Sequence, residues 1–182
     1  YTDPDGREVI ITITALVVGE GKINAYHDRG STSQSYIVVP TYRVEVKNSE
    51  TGAVWYFEIT RDAHDAKETP SDFTFNPGSD YNGYYIGQIE LRPDGSGWAI
   101  RILNQDGEAA TFYSSELGET NVDGAIFIHV GGLYINPKRN EQRYAVSTGC
   151  FTINGKSSGN FGMSLFISTI EFIQKDLASR GL

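Results

Sequence analysis

The chain has 182 residues, with 23 acidic against 15 basic side chains and a formal net charge of −8. That length suits one domain with a sizeable core, and the acidic balance argues against nucleic acid or a polybasic lipid anchor, which need a Lys/Arg surface. Twenty glycines, eleven tyrosines and nine phenylalanines suggest a β-rich domain with many tight turns, and no apolar run reaches the roughly 18 residues of a membrane span.

In chain order, Val9 to Val18 is β-branched and apolar and stops at Gly19-Glu20-Gly21, which predicts a strand, or two strands with a turn at the glycines. Asn24 to Ser35 is polar and reads as loop. Tyr42 to Lys47 alternates apolar and polar, Asn48 to Gly52 reverses the chain, and Val54 to Thr60 returns as the second arm of a hairpin. Arg61 to Asp80, with Pro70, Pro77 and Gly78, is the longest irregular stretch and reads as a functional loop. Tyr84 to Leu91, a Pro93-Asp94-Gly95 turn and Trp98 to Leu103 predict a second hairpin. Asn104 to Gly107 turns into Ala110 to Tyr113, and a polar connection follows. Ala125-Ile126-Phe127-Ile128 is an apolar run that reads as a buried strand, delivering His129 into Gly131-Gly132. Tyr144-Ala145-Val146 then leads to a Gly-flanked turn that carries Cys150. Met163, Phe166, Ile167, Ile170, Ile173 and Leu177 step by three or four and predict a closing helix. Gln174, Lys175, Asp176 and Arg180 lie opposite, and Gly181 suits the stop. With no internal repeat and no linker-like segment, residues 1–182 read as a single, mainly β domain: mostly antiparallel sheet with a C-terminal helix. Opening at Tyr1 without a basic-then-apolar leader, the chain reads as processed or as part of a longer protein.

Cys150 is the only cysteine, so no internal disulfide can form. It lies 21 residues after His129. A free thiol has a pKa of about 8.5 and is only slightly ionised at neutral pH, so a nucleophilic role needs a neighbouring base. A strand-end imidazole and a turn-borne thiol would supply both parts. Gly149 leaves room for a carbonyl to approach, and the N–H groups of Gly149 and Cys150 would face the developing oxyanion. The competing reading makes Cys150 a buried core residue and His129 a strand-end histidine bonded to backbone. No metal or cofactor is expected: one cysteine and three scattered histidines offer no close ligand pair. His27 and His64 read as solvated loop residues. Gly155-Lys156-Ser157 lacks the upstream glycine of a phosphate-binding loop.

Ile128-His129-Val130-Gly131, followed after a gap by Ser147-Thr148-Gly149-Cys150, resembles the catalytic domain of the L,D-transpeptidases, whose signature is a histidine, a variable stretch and Ser/Thr-His-Gly-Cys. The order of a β-rich body, a Pro/Gly segment, the histidine strand and the cysteine turn is similar as well. Two positions depart: Thr148 stands where the family has histidine before Gly-Cys, and Thr152 stands where it commonly has a basic residue. The resemblance implies an L,D-transpeptidase-like antiparallel β-sandwich or sheet. It implies that Cys150 attacks the carbonyl joining the L-centre of a diaminopimelate residue to the terminal D-alanine of a peptidoglycan tetrapeptide stem. His129 would be general base and acid, and the Val130 carbonyl would orient it. Ser147, Thr148, Gly131 and Gly132 would contact substrate, Ser147 serving equally well as a turn stabiliser. The thioester would pass to an amine or to water, giving transpeptidation, amino-acid exchange or L,D-carboxypeptidase trimming. The setting would be periplasm or cell wall, including delivery into a neighbour's periplasm, with an immunity or delivery protein as partner.

Two other classes remain open at this point. A sortase-like transpeptidase also places histidine before cysteine, but it needs an arginine soon after the cysteine, and the next one here is Arg180. A structural or binding domain of a phage or secretion particle would leave Cys150 buried and inert.

Overall fold

The computed structural model describes residues 9–24, 36–60, 62–64, 70–74, 84–91, 97–103, 107–108, 111–114, 118–121, 127–145, 151–154 and 158–180. The strands are β1 (Val9–Asn24), β2 (Tyr36–Asn48), β3 (Val54–Thr60), β4 (Asp62–His64), β5 (Pro70–Thr74), β6 (Tyr84–Leu91), β7 (Trp98–Leu103), β8 (Thr111–Ser114), β9 (Gly118–Asn121), β10 (Phe127–Val130), β11 (Leu133–Asn136), β12 (Glu141–Tyr144) and β13 (Phe151–Asn154), and a helix, α1 (Gly159–Ser179), follows. Seven strands form a closed barrel in the order β1-β2-β3-β13-β10-β7-β6; β4-β5-β8-β9 form a second sheet and β11-β12 a separate hairpin. The architecture is mainly β with a C-terminal helix.

Period-2 alternation explains how the barrel is filled. Val9, Ile11 and Ile13 of β1, Val44 and Val46 of β2, Ile59 of β3, Ile100 and Ile102 of β7, Ile128 of β10, and Phe151 and Ile153 of β13 share one core cluster. Met163, Phe166, Ile170, Ile173 and Leu177 join it from α1; their spacing by three, four, three and four keeps them on one stripe of the helix. Each fully buried side chain of this size contributes about 1.5–3 kcal/mol of transfer free energy. Phe166 meets Phe57 edge-to-face at 4.8 Å. The helix starts at Ser158, whose hydroxyl accepts from the Phe161 N–H at 3.2 Å, an N-cap that satisfies one orphan donor of the first turn. Near the other end, Asn48 Nδ2 donates to Asp176 at 3.2 Å and ties the last turns to the β2–β3 connection.

Several sequence expectations match this layout. β3, β6 and β7 fall where the alternation puts them. The Asn48–Gly52 reversal is a turn closed by Asn48 N–H to the Ala53 carbonyl at 3.0 Å, with Gly52 at φ +73°, a conformation glycine adopts without steric cost.

Others are corrected. Gly19 and Gly21 do not turn the chain; they continue β1 against Thr41 and Val39 of β2. Their role is close approach: a Cβ on Gly21 would fall 2.1 Å from Asn154 Nδ2, and one on Gly19 would fall 3.1 Å from Thr41 Oγ1. Within Arg61 to Asp80 the irregular reading is corrected by β4 and β5, with β5 paired to β8, and the remaining residues of that stretch lie outside the described ones; Pro70 opens β5, where its missing N–H is tolerated. His64 therefore belongs to a strand. The polar connection before His129 contains β9. The main sheet closes on itself instead of stacking as open layers, and it is not wholly antiparallel, because β10 and β13 run parallel. The Asn24–Ser35 loop beyond Asn24, the Pro93-Asp94-Gly95 turn and Gly181 lie outside the described residues.

Candidate functional site

β10 places alternate side chains on opposite faces of the barrel wall. Ile128 enters the core, and His129 faces the other way. That outer face is not open: His129 is 4% exposed. Its Nδ1 stands 2.9 Å from the Val130 carbonyl oxygen. A carbonyl accepts only, so Nδ1 is the donor in this bond, and in the neutral ring the acceptor nitrogen is then Nε2. That is the tautomer a general base needs.

β13 lies beside β10 in parallel register, with Ile128 opposite Phe151, His129 opposite Thr152 and Val130 opposite Ile153. Ser147, Thr148, Gly149 and Cys150 lie outside the described residues. Cys150 is joined by one peptide bond to Phe151, a link of about 3.8 Å between Cα atoms, and Phe151 is the partner of the residue just before His129.

The His129 level continues across the wall as a polar row: His129 opposite Thr152, Thr152 opposite Thr60, Thr60 opposite Thr41, and Thr41 opposite Gly19. All three threonines are fully buried. The hydroxyls of Thr60 and Thr152 bond each other, and Thr41 donates to Glu58 at 3.3 Å. A burial of hydroxyls on this scale is tolerated because partners are supplied. A basic residue would not fit at position 152, since a long cation in a fully buried slot beside Thr60 would be stranded. The far half of the β1–β2 ribbon helps to cover the row, with Ile23 and Val39 buried and Asn24 N–H bonded to the Ala145 carbonyl at 2.8 Å.

Gly131 and Gly132 leave β10 in different ways. A Cβ on Gly131 would fall 2.6 Å from the Ile153 carbonyl oxygen and 2.8 Å from Thr152, so Gly131 is packed against β13. Gly132 is at φ +58°, the left-handed region that favours glycine, and its carbonyl accepts from Ala145 N–H at 2.9 Å. Of the two, Gly132 lines a cavity.

That cavity measures about 930 Å³ and is bounded by β1, β2, β3, β13, the start of β11 and the first turns of α1. Its wall includes Glu20, Lys22, Arg43, Glu58 and Asn154, with Tyr56 and Phe161 also lining it and both exposed. Asn154 follows Thr152 by two residues on β13 and so lies on the same face, about 6.6 Å farther along the strand. Nothing in the sequence pattern marked these residues: Arg43 and Glu58 read there as ordinary solvent-side members of a hairpin. Yet they are cross-strand partners that do not pair. Arg43 lies over the Tyr56 ring at 4.9 Å, and Glu58 takes the Thr41 hydroxyl. Lys22 lies over Tyr36 at 4.1 Å. Asn154 is more unusual: its Oδ1 and Nδ2 are both buried without any hydrogen-bond partner, an arrangement that costs about 1–3 kcal/mol.

Among the described residues no group of three His, Cys, Asp or Glu side chains is arranged to hold a metal ion, and no helix is long and apolar enough to cross a membrane. Comparison with known protein families, curated proteins and solved structures finds no match to this chain.

Proposed function

We propose that the protein is a cysteine-dependent acyl-transfer enzyme of L,D-transpeptidase type, acting on tetrapeptide stems of peptidoglycan in the periplasm or cell wall. The observation that carries this reading is the buried imidazole of His129, bonded through Nδ1 to the Val130 carbonyl on a strand whose parallel neighbour begins one residue after Cys150. A neutral histidine held by that bond has Nε2 as its acceptor nitrogen, and the pairing sets Phe151, the residue after Cys150, opposite Ile128, the residue before His129.

Nε2 takes the Cys150 proton as Sγ adds to the carbonyl between the diaminopimelate L-centre and D-alanine. The N–H groups of Gly149 and Cys150 bind the resulting oxyanion; a donor of that kind is worth about 2.7–4 kcal/mol. Collapse breaks the C–N bond, the D-alanine amine receives the proton from His129, and a thioester remains. Water then gives the shortened stem, or an amine gives a cross-link or exchanged stem, and the thiol is regenerated. Ser147 and Thr148 contact substrate on the cysteine turn.

Incubation with purified disaccharide-tetrapeptide, followed by mass analysis, tests the reading. Loss of D-alanine, a dimer, or incorporation of an added D-amino acid identifies hydrolysis, transfer or exchange. His129→Ala should lower turnover by about 10²–10⁴-fold, and Cys150→Ala should abolish it. An active Cys150→Ala protein sinks the mechanism. Growth arrest by exported but not cytosolic protein would identify a toxin delivered into a neighbour's periplasm, the role in which an immunity or delivery protein is its partner.

The burial of His129 and of the threonine row favours one second reading, a non-enzymatic structural or binding domain with an inert thiol. Alkylation separates the two: an activated thiol reacts at pH 6–7 faster than free cysteine, whereas a buried one reacts only after denaturation.

A further inference from the structure

Four charged side chains, Glu20 and Glu58 with Lys22 and Arg43, line one cavity, two of each sign, and no ion pair forms among them. Arg43 and Glu58 face each other across β2 and β3 and still take other partners, an aromatic ring and a hydroxyl. Asn154 lines the same cavity with both a donor and an acceptor unsatisfied. Its carboxamide is backed by two glycines: a Cβ on Gly21 would fall 2.1 Å from Nδ2 and one on Gly132 would fall 3.4 Å from Oδ1. The first turns of α1, which carry no acidic side chain near the N-terminus, line the cavity through Gly159 and Gly162 and present the positive end of the helix dipole. The volume, about 930 Å³, is at the upper end of the range of about 300–1,000 Å³ found for ligand pockets.

We infer that this cavity is a peptide-binding site, in which Asn154 pairs with an amide of the ligand and the unpaired charges hold a ligand that bears both an anionic and a cationic group. A carboxamide with donor and acceptor both unsatisfied is the complement of a peptide unit, which offers one of each. Arg43, Lys22 and the α1 N-terminus suit the carboxylate of such a ligand, Glu20 and Glu58 its ammonium group, and Tyr56 and Phe161 its apolar atoms. The choice of a peptidoglycan stem as ligand rests on the proposed function; the mixed-charge peptide chemistry does not.

The test is calorimetric titration of the Cys150→Ala protein, which cannot turn the ligand over, with the tetrapeptide L-Ala-γ-D-Glu-diaminopimelate-D-Ala and with acetylated, amidated tetra-alanine. The charged peptide should bind at least tenfold more tightly than the neutral one. Asn154→Leu should weaken the charged peptide at least tenfold while leaving Tm unchanged or higher, because the substitution removes an unsatisfied amide. Arg43→Gln and Glu58→Gln, both on the cavity wall of otherwise intact strands, should each weaken it about fivefold or more and keep the inference testable if Asn154→Leu does not fold. Equal affinity for the two peptides, no binding of the charged one, or unchanged affinity in these variants overturns the assignment. Binding by a wild-type chain that shows no turnover keeps this site and removes the catalytic reading. Turnover with kcat/KM unaltered by Asn154→Leu, Arg43→Gln and Glu58→Gln keeps the catalytic reading and removes the site.

Discussion

Thr152 illustrates how strongly one position is constrained in the polar row. Its hydroxyl is fully buried and bonds that of Thr60. Thr152→Val removes one member and leaves the other orphaned, so unfolding by urea should show a loss of about 1–3 kcal/mol. Changing Thr60→Val as well removes the orphan, and the double variant should recover most of the deficit, a coupling that a double-mutant cycle reads directly. A double variant as unstable as the sum of the singles would mean that the pair has no special relation. The sequence marked Thr152 only as a departure, a threonine where the motif it resembles has a basic residue; the register with His129 and Thr60 places it in the buried row. His129 itself stood out from the sequence because an apolar run ends in a titratable group beside two glycines. Asn154 did not, since nothing local distinguishes a strand-end asparagine that is hydrogen-bonded from one that is not.

Between elements, the tightest joint is where α1 meets the end of β10. A Cβ on Gly159 would fall 1.8 Å from the Gly131 carbonyl oxygen, a backbone atom that cannot move aside like a side-chain tip. Gly159→Ala must therefore displace the helix start from the histidine strand, at a cost of about 1–3 kcal/mol by analogy with overpacked cores. Phe166→Ala, at a fully buried site against Phe57, should cost about 3–5 kcal/mol. Thermal denaturation reads both losses, and alkylation of the folded protein distinguishes them, because only Gly159→Ala should also slow reaction of the thiol. The helix was readable because its stripe of Met163, Phe166, Ile170, Ile173 and Leu177 has an unambiguous period. β3, β6 and β7 were readable for the matching reason in strands. β4, β5 and β9 were not: they are three to five residues long, polar, and paired with each other or β8, so their conformation is set by distant partners. The glycines of β1 misled because their small size serves a close contact in space, which has no local signature.

At the scale of the molecule, barrel closure and the parallel β10–β13 pair are the features least available to sequence reasoning, since both join segments separated by other strands. Parallel strands need a crossover, and here it is a hairpin. β11 and β12 bond each other. Asn160 grips the hairpin like a borrowed strand, accepting from Ile135 N–H at 2.7 Å and donating to its carbonyl at 3.3 Å. Ala145 N–H to the Gly132 carbonyl closes the base. The tip, Pro137 to Asn140, lies beyond both clamps. Two residues inserted between Lys138 and Arg139 should change stability by no more than about 0.6 kcal/mol and leave alkylation of Cys150 at its original rate; a large fall in either would show that the tip is part of the site. In the proposed mechanism the number of residues between the imidazole and the sulfur is then a property of an outlying arm and not of the chemistry. Patterns that count along the chain will overlook proteins that build the same neighbourhood with a longer or shorter excursion.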